Sequence, residues 1–258
     1  MAVGSVATAT AASLLLLFLL LPVGELVVRG GAGGVRRLVG DADLQRSLAL
    51  TAWTASLATL VGVVLGTPLA WILSRRTFPG RTVVTAALDL PLVIPHPVAG
   101  IALLLVFGRE SAIGGLLAQG GYGIVSSPLG IILGMLFVSA PLYVSGAREA
   151  MARVDRRYES VAQTLGDTPW QAFRRVTLPL ASRGLLASAV VMWARAVSEF
   201  GAIVILVHHP RTVSVLSYDR FTTYGLTEVI PVAAALVLLA LLPLVALRAL
   251  RRGSEERT

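Results

Sequence analysis

Six apolar runs, at residues 6–28, 48–73, 83–107, 129–146, 185–207 and 229–247, constrain this 258-residue chain more than any other feature. A hydrocarbon core of ~30 Å needs roughly 20 apolar residues per helical crossing, and each run meets or approaches that length. Runs of this kind must be helical, because lipid offers no partner to an unpaired backbone N–H or C=O. A membrane β-barrel would show short alternating segments instead. Composition agrees: 55% of residues are hydrophobic, 14% are charged and the mean hydropathy is +0.79, against about 25% charged residues in a soluble domain. A soluble globular enzyme and a disordered chain are both excluded. The expected fold is all-α, a polytopic membrane protein of about six transmembrane helices forming one domain over 1–258. A cleaved signal peptide is the alternative for the first run. Its leading residues carry no basic side chain and its apolar stretch continues past Pro22, which favours an uncleaved first helix.

Charge sets the orientation. The formal net charge is +8, and with no lysine in the chain all 22 Lys or Arg positions are arginine. The segments after the second and fourth runs and the C-terminal tail hold 14 arginines, whereas those after the first, third and fifth hold 7. This bias places both termini in the cytoplasm and accounts for the positive charge without nucleic acid. The absence of cysteine excludes a disulfide framework, a thiol nucleophile, Cys-ligated zinc and an iron–sulfur cluster.

The longest hydrophilic stretch, 148–183, carries local order. Residues 148–165 read as an amphipathic helix with Ala152, Tyr158, Val161, Ala162 and Leu165 as its less polar positions. Gly166 suits the stop that glycine supplies after a helix. Thr168-Pro169-Trp170-Gln171 restarts one, with threonine as N-cap, proline at N1 and glutamine closing a capping box. Leu178-Pro179 is expected to end or sharply turn this second short helix. An Arg-rich amphipathic loop also suits a helix that merely lies on the lipid headgroups.

The spacing of Glu159-Ser160-Val161-Ala162, Gly166 and Val176-Thr177-Leu178-Pro179 resembles the EAA loop of ABC-importer permeases, in which Glu-Ala-Ala is followed by Gly and then Ile-x-Leu-Pro. Aligned on Gly166 and Leu178-Pro179, the motif glutamate falls on Ser160, with Glu159 one position earlier, and Val176 replaces the isoleucine. Pro95-His96-Pro97-Val98-Ala99-Gly100-Ile101-Ala102-Leu103, Ala194-Arg195-Ala196-Val197-Ser198-Glu199-Phe200-Gly201-Ala202 and Tyr218-Asp219-Arg220-Phe221 are similar to the molybdate/tungstate branch of these permeases, a neighbour of the sulfate branch. The similarity runs from the second apolar run to the sixth. It implies the type I, MetI-like permease fold in a prokaryotic plasma (inner) membrane. It further implies a homodimer surrounded by lipid, docked on a cytoplasmic ABC ATPase dimer and fed by an extracytoplasmic oxyanion-binding protein. ATP and Mg would be used by the ATPase, with no cofactor bound by this chain.

On that resemblance, Glu159, Ala162, Gly166, Trp170, Phe173, Leu178 and Pro179 belong to the ATPase-coupling loop. For Trp170 and Phe173 the alternative is anchoring in the aromatic belt of the membrane interface. Arg195 and Glu199, four residues apart, are expected to share one helix face and pair. With Ser198 they either line or gate a translocation path or orient the helix as a structural pair, since ionisable groups inside membrane helices face a bundle interior or a watery path. His96, between two prolines in the third run, marks a break in that helix and offers a hydrogen bond to an oxyanion; a satisfied structural histidine is the alternative.

Several chemistries are absent. Without lysine there is no Gly-x-x-x-x-Gly-Lys phosphate loop, so the chain is not itself the ATPase, and no His-Glu-x-x-His sequence supports a zinc protease. An ion-coupled secondary transporter would need interrupted helices in both halves, and only the break at Pro95-His96-Pro97 is evident. An intramembrane enzyme would need a convergent nucleophile–base or metal set.

Overall fold

The structure, a computed structural model, describes residues 2–255, and within them it contains helices and no strands. In chain order these are α1 (Ala2–Gly40), α2 (Ala42–Arg75), α3 (Arg81–Val93), α4 (His96–Phe107), α5 (Ala112–Gln119), α6 (Pro128–Ala152), α7 (Arg156–Thr164), α8 (Pro169–Ala172), a π-turn (Phe173–Thr177), α9 (Leu178–Val197), α10 (Gly201–Leu206), α11 (Val213–Tyr224) and α12 (Leu226–Glu255). Five helices are long and apolar enough to cross a membrane, and α3 with α4 makes a sixth crossing if the bent pair is one span. The expectation that both termini are cytoplasmic rests partly on Arg257, which lies outside the described residues.

The core is built on α6, which packs along α2 on one side and α9 on the other. Small residues let α6 and α9 approach closely. A Cβ on Gly184 would lie 2.4 Å from the Ala150 Cβ, and one on Gly146 would lie 2.4 Å from the Ser188 Oγ. This is the usual substitute for hydrophobic collapse where the surrounding lipid is itself apolar. One buried cluster gathers Ala55, Ile131, Met135, Val197 and Leu206; a second gathers Leu73, Tyr143, Met151, Phe173 and Met192. Across the second, the Thr67 Oγ1 and Tyr143 hydroxyls lie 2.6 Å apart, satisfying a phenol that would otherwise be buried without a partner. By contrast, Leu14 to Leu21 of α1 are all more than half exposed, as a helix in contact with lipid should be.

Three expectations are corrected here. The third run, expected as one interrupted helix, turns by 115° between α3 and α4, because residues preceding a proline are driven out of the α region and both Ile94 and Pro95 are extended. The fifth run is also broken: α9 stops at Val197, and α10 starts at Gly201. Finally, Pro179 neither ends nor turns the short helix. α8, the π-turn and α9 run on as one apolar rod from Pro169 to Val197. The π-turn adds a residue, with the Leu178 N–H donating to the Phe173 carbonyl. Proline therefore falls in the first turn of α9, directly after the wider π-turn, a position at which proline is tolerated.

Candidate functional site

The 148–183 loop is held by local caps. Residues 148–165 are two helices rather than one: α6 ends at Ala152, and α7 begins after Asp155, whose carboxylate accepts the Arg157 N–H at 2.9 Å. At the far end of α7, Gly166 has φ +99°. Its N–H donates to the Gln163 carbonyl and that of Asp167 to the Ala162 carbonyl, both at 3.1 Å, which is the Schellman pattern. Two residues on, the Gln171 N–H donates to the Thr168 Oγ1 at 3.3 Å while the Thr168 N–H donates to the Gln171 Oε1 at 2.8 Å. This reciprocal capping box matches the sequence reading. Asp167 and Arg175 pair across the corner at 2.5 Å.

The side chains assigned to this loop divide by exposure. Gly166, Trp170 and Pro179 are exposed, Ala162 and Leu178 are half-buried, and Glu159 and Phe173 are buried. Phe173 lies under Trp170 with ring centroids 5.1 Å apart, and both rest on Trp71 of α2, at 4.8 Å from Phe173 and 6.2 Å from Trp170. Trp170 is therefore the aromatic that reaches outward, 53% exposed. Tyr158 and Val161 of α7 and its C-cap residue Leu165, at i, i+3 and i+7, are also more than half exposed and form one apolar stripe. Glu159 points the other way. Its Oε1 accepts the Arg75 Nε–H at 2.9 Å and a hydrogen bond from the Thr177 hydroxyl. Arg75 and Thr177 had no local signal in the sequence, being 84 and 18 residues away from Glu159.

The second cluster lies where the two broken helices meet. α4 and α10 start side by side, so closely that a Cβ on Gly201 would lie 2.5 Å from the His96 Cβ. Arg195, on the last turn of α9, donates from Nη2 to the Glu199 Oε2 at 2.8 Å. Glu199 is not on that helix. It sits in the break, 1% exposed, and its Oε1 accepts the Ala202 N–H in the first turn of α10 at 2.8 Å. The His96 Nδ1 lies 3.3 Å from the Glu199 Oε2, and the Arg195 Nη2 lies 2.9 Å from the His96 Nε2. The same Nη2 also lies 3.1 Å from the His96 Nδ1, so the guanidinium sits beside both ring nitrogens rather than on the lone-pair axis of either. Ser198 is exposed, with its Oγ 3.0 Å from the Arg195 carbonyl and 3.4 Å from the Arg195 Nη1. The structure thus brings His96, Arg195, Ser198 and Glu199 together. Arg195 is charge-compensated, yet its side chain and that of His96 remain partly open, at 25% and 42%. No group of three or more His, Cys, Asp or Glu residues placed to hold a metal occurs among the described residues.

An all-helical membrane protein with broken helices around an internal ion pair, and a capped helical loop outside them, is built as a transport subunit. The chain belongs to the family described as binding-protein-dependent transport system inner membrane component, whose model matches residues 62–257. It is 40% identical to the molybdate/tungstate transport system permease protein WtpB of Thermococcus kodakarensis, over 73% of this chain and 71% of that protein. It is 39% identical to a probable molybdenum ABC transporter permease protein of Haloferax volcanii, over 88% and 82%. The sulfate transport system permease protein CysW of Synechocystis sp. is 32% identical over 95% and 90%. Among solved structures, a bacterial ABC transporter that imports alginate aligns with a TM-score of 0.72 and 19% identity, over 98% of this chain and 95% of that one. The MetNI methionine ABC transporter aligns at 0.67 and 19%, over 81% and 95%. The fold is thus the MetI-like permease fold, and the chain is a permease subunit rather than an enzyme. A second helix break, which the sequence did not reveal, is present, but the family match makes the chain a binding-protein-dependent permease rather than an ion-coupled transporter.

Proposed function

We propose that this chain forms the translocation path of an ATP-driven importer for a tetrahedral oxyanion, with molybdate and tungstate as its substrates. The two molybdate relatives described above carry this reading, at 40% and 39% identity against 32% for the sulfate permease. Two copies of the chain would enclose the path in a prokaryotic plasma membrane, both termini on the cytoplasmic side. A binding protein would deliver the dianion from outside, and two ATPase subunits, using ATP and Mg, would dock on the 148–183 loops.

The loop geometry supports that docking. Trp170 and the stripe of Tyr158, Val161 and Leu165 present apolar area on a rigid, doubly capped corner. Tryptophan and tyrosine are the residues that most often anchor protein interfaces. In the membrane, His96, Arg195, Ser198 and Glu199 would line or gate the path. An arginine already neutralised by Glu199 makes a weak resting site for a dianion, so affinity would reside in the binding protein and the path would release its cargo readily.

ATP-dependent uptake of labelled tungstate, molybdate and sulfate tests the reading, in proteoliposomes holding this chain, its ATPase and its binding protein. Tungstate or molybdate uptake that Gly166→Pro abolishes is the expected result. Sulfate uptake alone would transfer the chain to the sulfate branch, and uptake that persists without the ATPase would overturn the assignment of the energy source.

A further inference from the structure

The 148–183 loop is joined by the backbone to α6 and α9, but its side chains bind it to a third helix. At the end of α2, Arg75 donates from Nε to the Glu159 Oε1 at 2.9 Å and from Nη2 to the Val154 carbonyl at 3.0 Å. In return, Arg156 donates to the Ser74 carbonyl at 3.0 Å. One turn earlier, Trp71 lies against Phe173 and Trp170. The Arg75 and Glu159 side chains are only 8% and 12% exposed, and Thr177 of the π-turn closes the cluster with its hydroxyl on Glu159. Removing one member of a buried ion pair strands the other charge, so the link resists opening.

We propose that Arg75 is a positioning residue for energy coupling: with Glu159 and Thr177 it clamps the loop to α2, so that ATPase closure moves α2 together with α6 and α9. The glutamate near the EAA position thus acts inward, on the permease itself, rather than on the ATPase surface. Without the clamp, the loop is free to swing about residues 153–155 and the π-turn, and ATPase motion is dissipated there. The inference rests on the reading of this loop as the ATPase-docking element.

The test uses the reconstituted complex with tungstate as transported probe and takes as its readout the tungstate carried per ATP hydrolysed. Because the chain lacks cysteine, spin labels at Leu60→Cys on α2 and Ser160→Cys in the loop meet no background from the permease. The ATPase and binding protein are used as cysteine-free variants, and labelled permease is diluted with unlabelled copies so that the separation within one copy is read. Both positions are exposed. With Arg75 present, one narrow distance is expected in nucleotide-free and ATP-trapped complexes. Arg75→Gln should broaden it and lower tungstate per ATP by about tenfold or more while the ATPase still co-purifies. The double variant Arg75→Met with Glu159→Leu removes both charges together, which avoids a stranded ion, and should show the same loss. Wild-type coupling in either variant overturns the proposal. So does loss of ATPase association in both, because a positioning residue must leave docking intact. Trp170→Ala tests the docking reading separately: if the ATPase remains bound and coupled in that variant, the docking role of the loop fails whatever Arg75 does.

Discussion

The Arg195 guanidinium and the Glu199 carboxylate lie 2.8 Å apart, although the helix that carries the arginine ends two residues before the glutamate. Sequence spacing suggests an ordinary i, i+4 pair on one helix face. The structure instead uses Glu199 as a hinge piece, with one oxygen on the arginine of α9 and the other on the first turn of α10. A carboxylate at the N-terminus of a helix is favoured by the helix dipole, so the same group holds both halves of the broken span.

Neutralising Glu199 should therefore separate two effects. Glu199→Gln keeps an oxygen for the Ala202 N–H but leaves the partly exposed Arg195 uncompensated beside the proposed path. Tungstate uptake in proteoliposomes should fall by about tenfold as the arginine retains its dianion, with complex yield unchanged. Uptake at the wild-type rate would show that the pair is structural only.

Arg195→Gln should act on stability first. It strands a carboxylate that is 1% exposed, and breaking a buried pair typically costs about 3–5 kcal/mol. Thermal unfolding of the purified variant in detergent should show a lower midpoint than Glu199→Gln.

At the proposed docking surface, Trp170→Ala should weaken ATPase association more than any other single truncation in the loop. An interface tryptophan commonly accounts for about 2 kcal/mol or more, which corresponds to roughly a 30-fold weaker complex. Titration of the ATPase against the permease in nanodiscs measures it. Phe173→Leu, inside the subunit, should change that affinity by far less.

Acid should loosen the junction between α2 and α11. Burial works to raise the Asp41 pKa, but the hydrogen bond from the Leu44 N–H and the pairing with Arg220 outweigh it and hold the carboxyl below its usual value. A depressed carboxylate contributes stability above its unfolded pKa of about 3.9 and loses it as pH falls through the lower, folded value. Thermal midpoints measured from pH 6 down to pH 3 should therefore fall more steeply for the wild type than for Asp41→Asn, which lacks the charge throughout.

Much of the loop was legible because its signals act within a few residues. Glycine after α7 favours a Schellman stop and Thr168-Pro169-Trp170-Gln171 favours a capping box, and both are present. The break at Pro95-His96-Pro97 was likewise announced by prolines, though its 115° turn was not. The break after Val197 carries no proline. It forms where a carboxylate in the gap caps the next helix, its charge offset by Arg195 of α9 and its Oε2 3.3 Å from His96 of the distant α4.

By itself, then, the sequence determined that the chain crosses a membrane as helices and where the loop corner falls, because hydrophobic length and helix caps are local properties. Only the tertiary structure decided that Pro179 sits inside a continuous helical rod, that Phe173 and Glu159 face inward, and that Arg75 meets Glu159. Those outcomes depend on which buried charges and rings find partners far away along the chain, and a low-dielectric interior enforces such pairing more strongly than any local propensity.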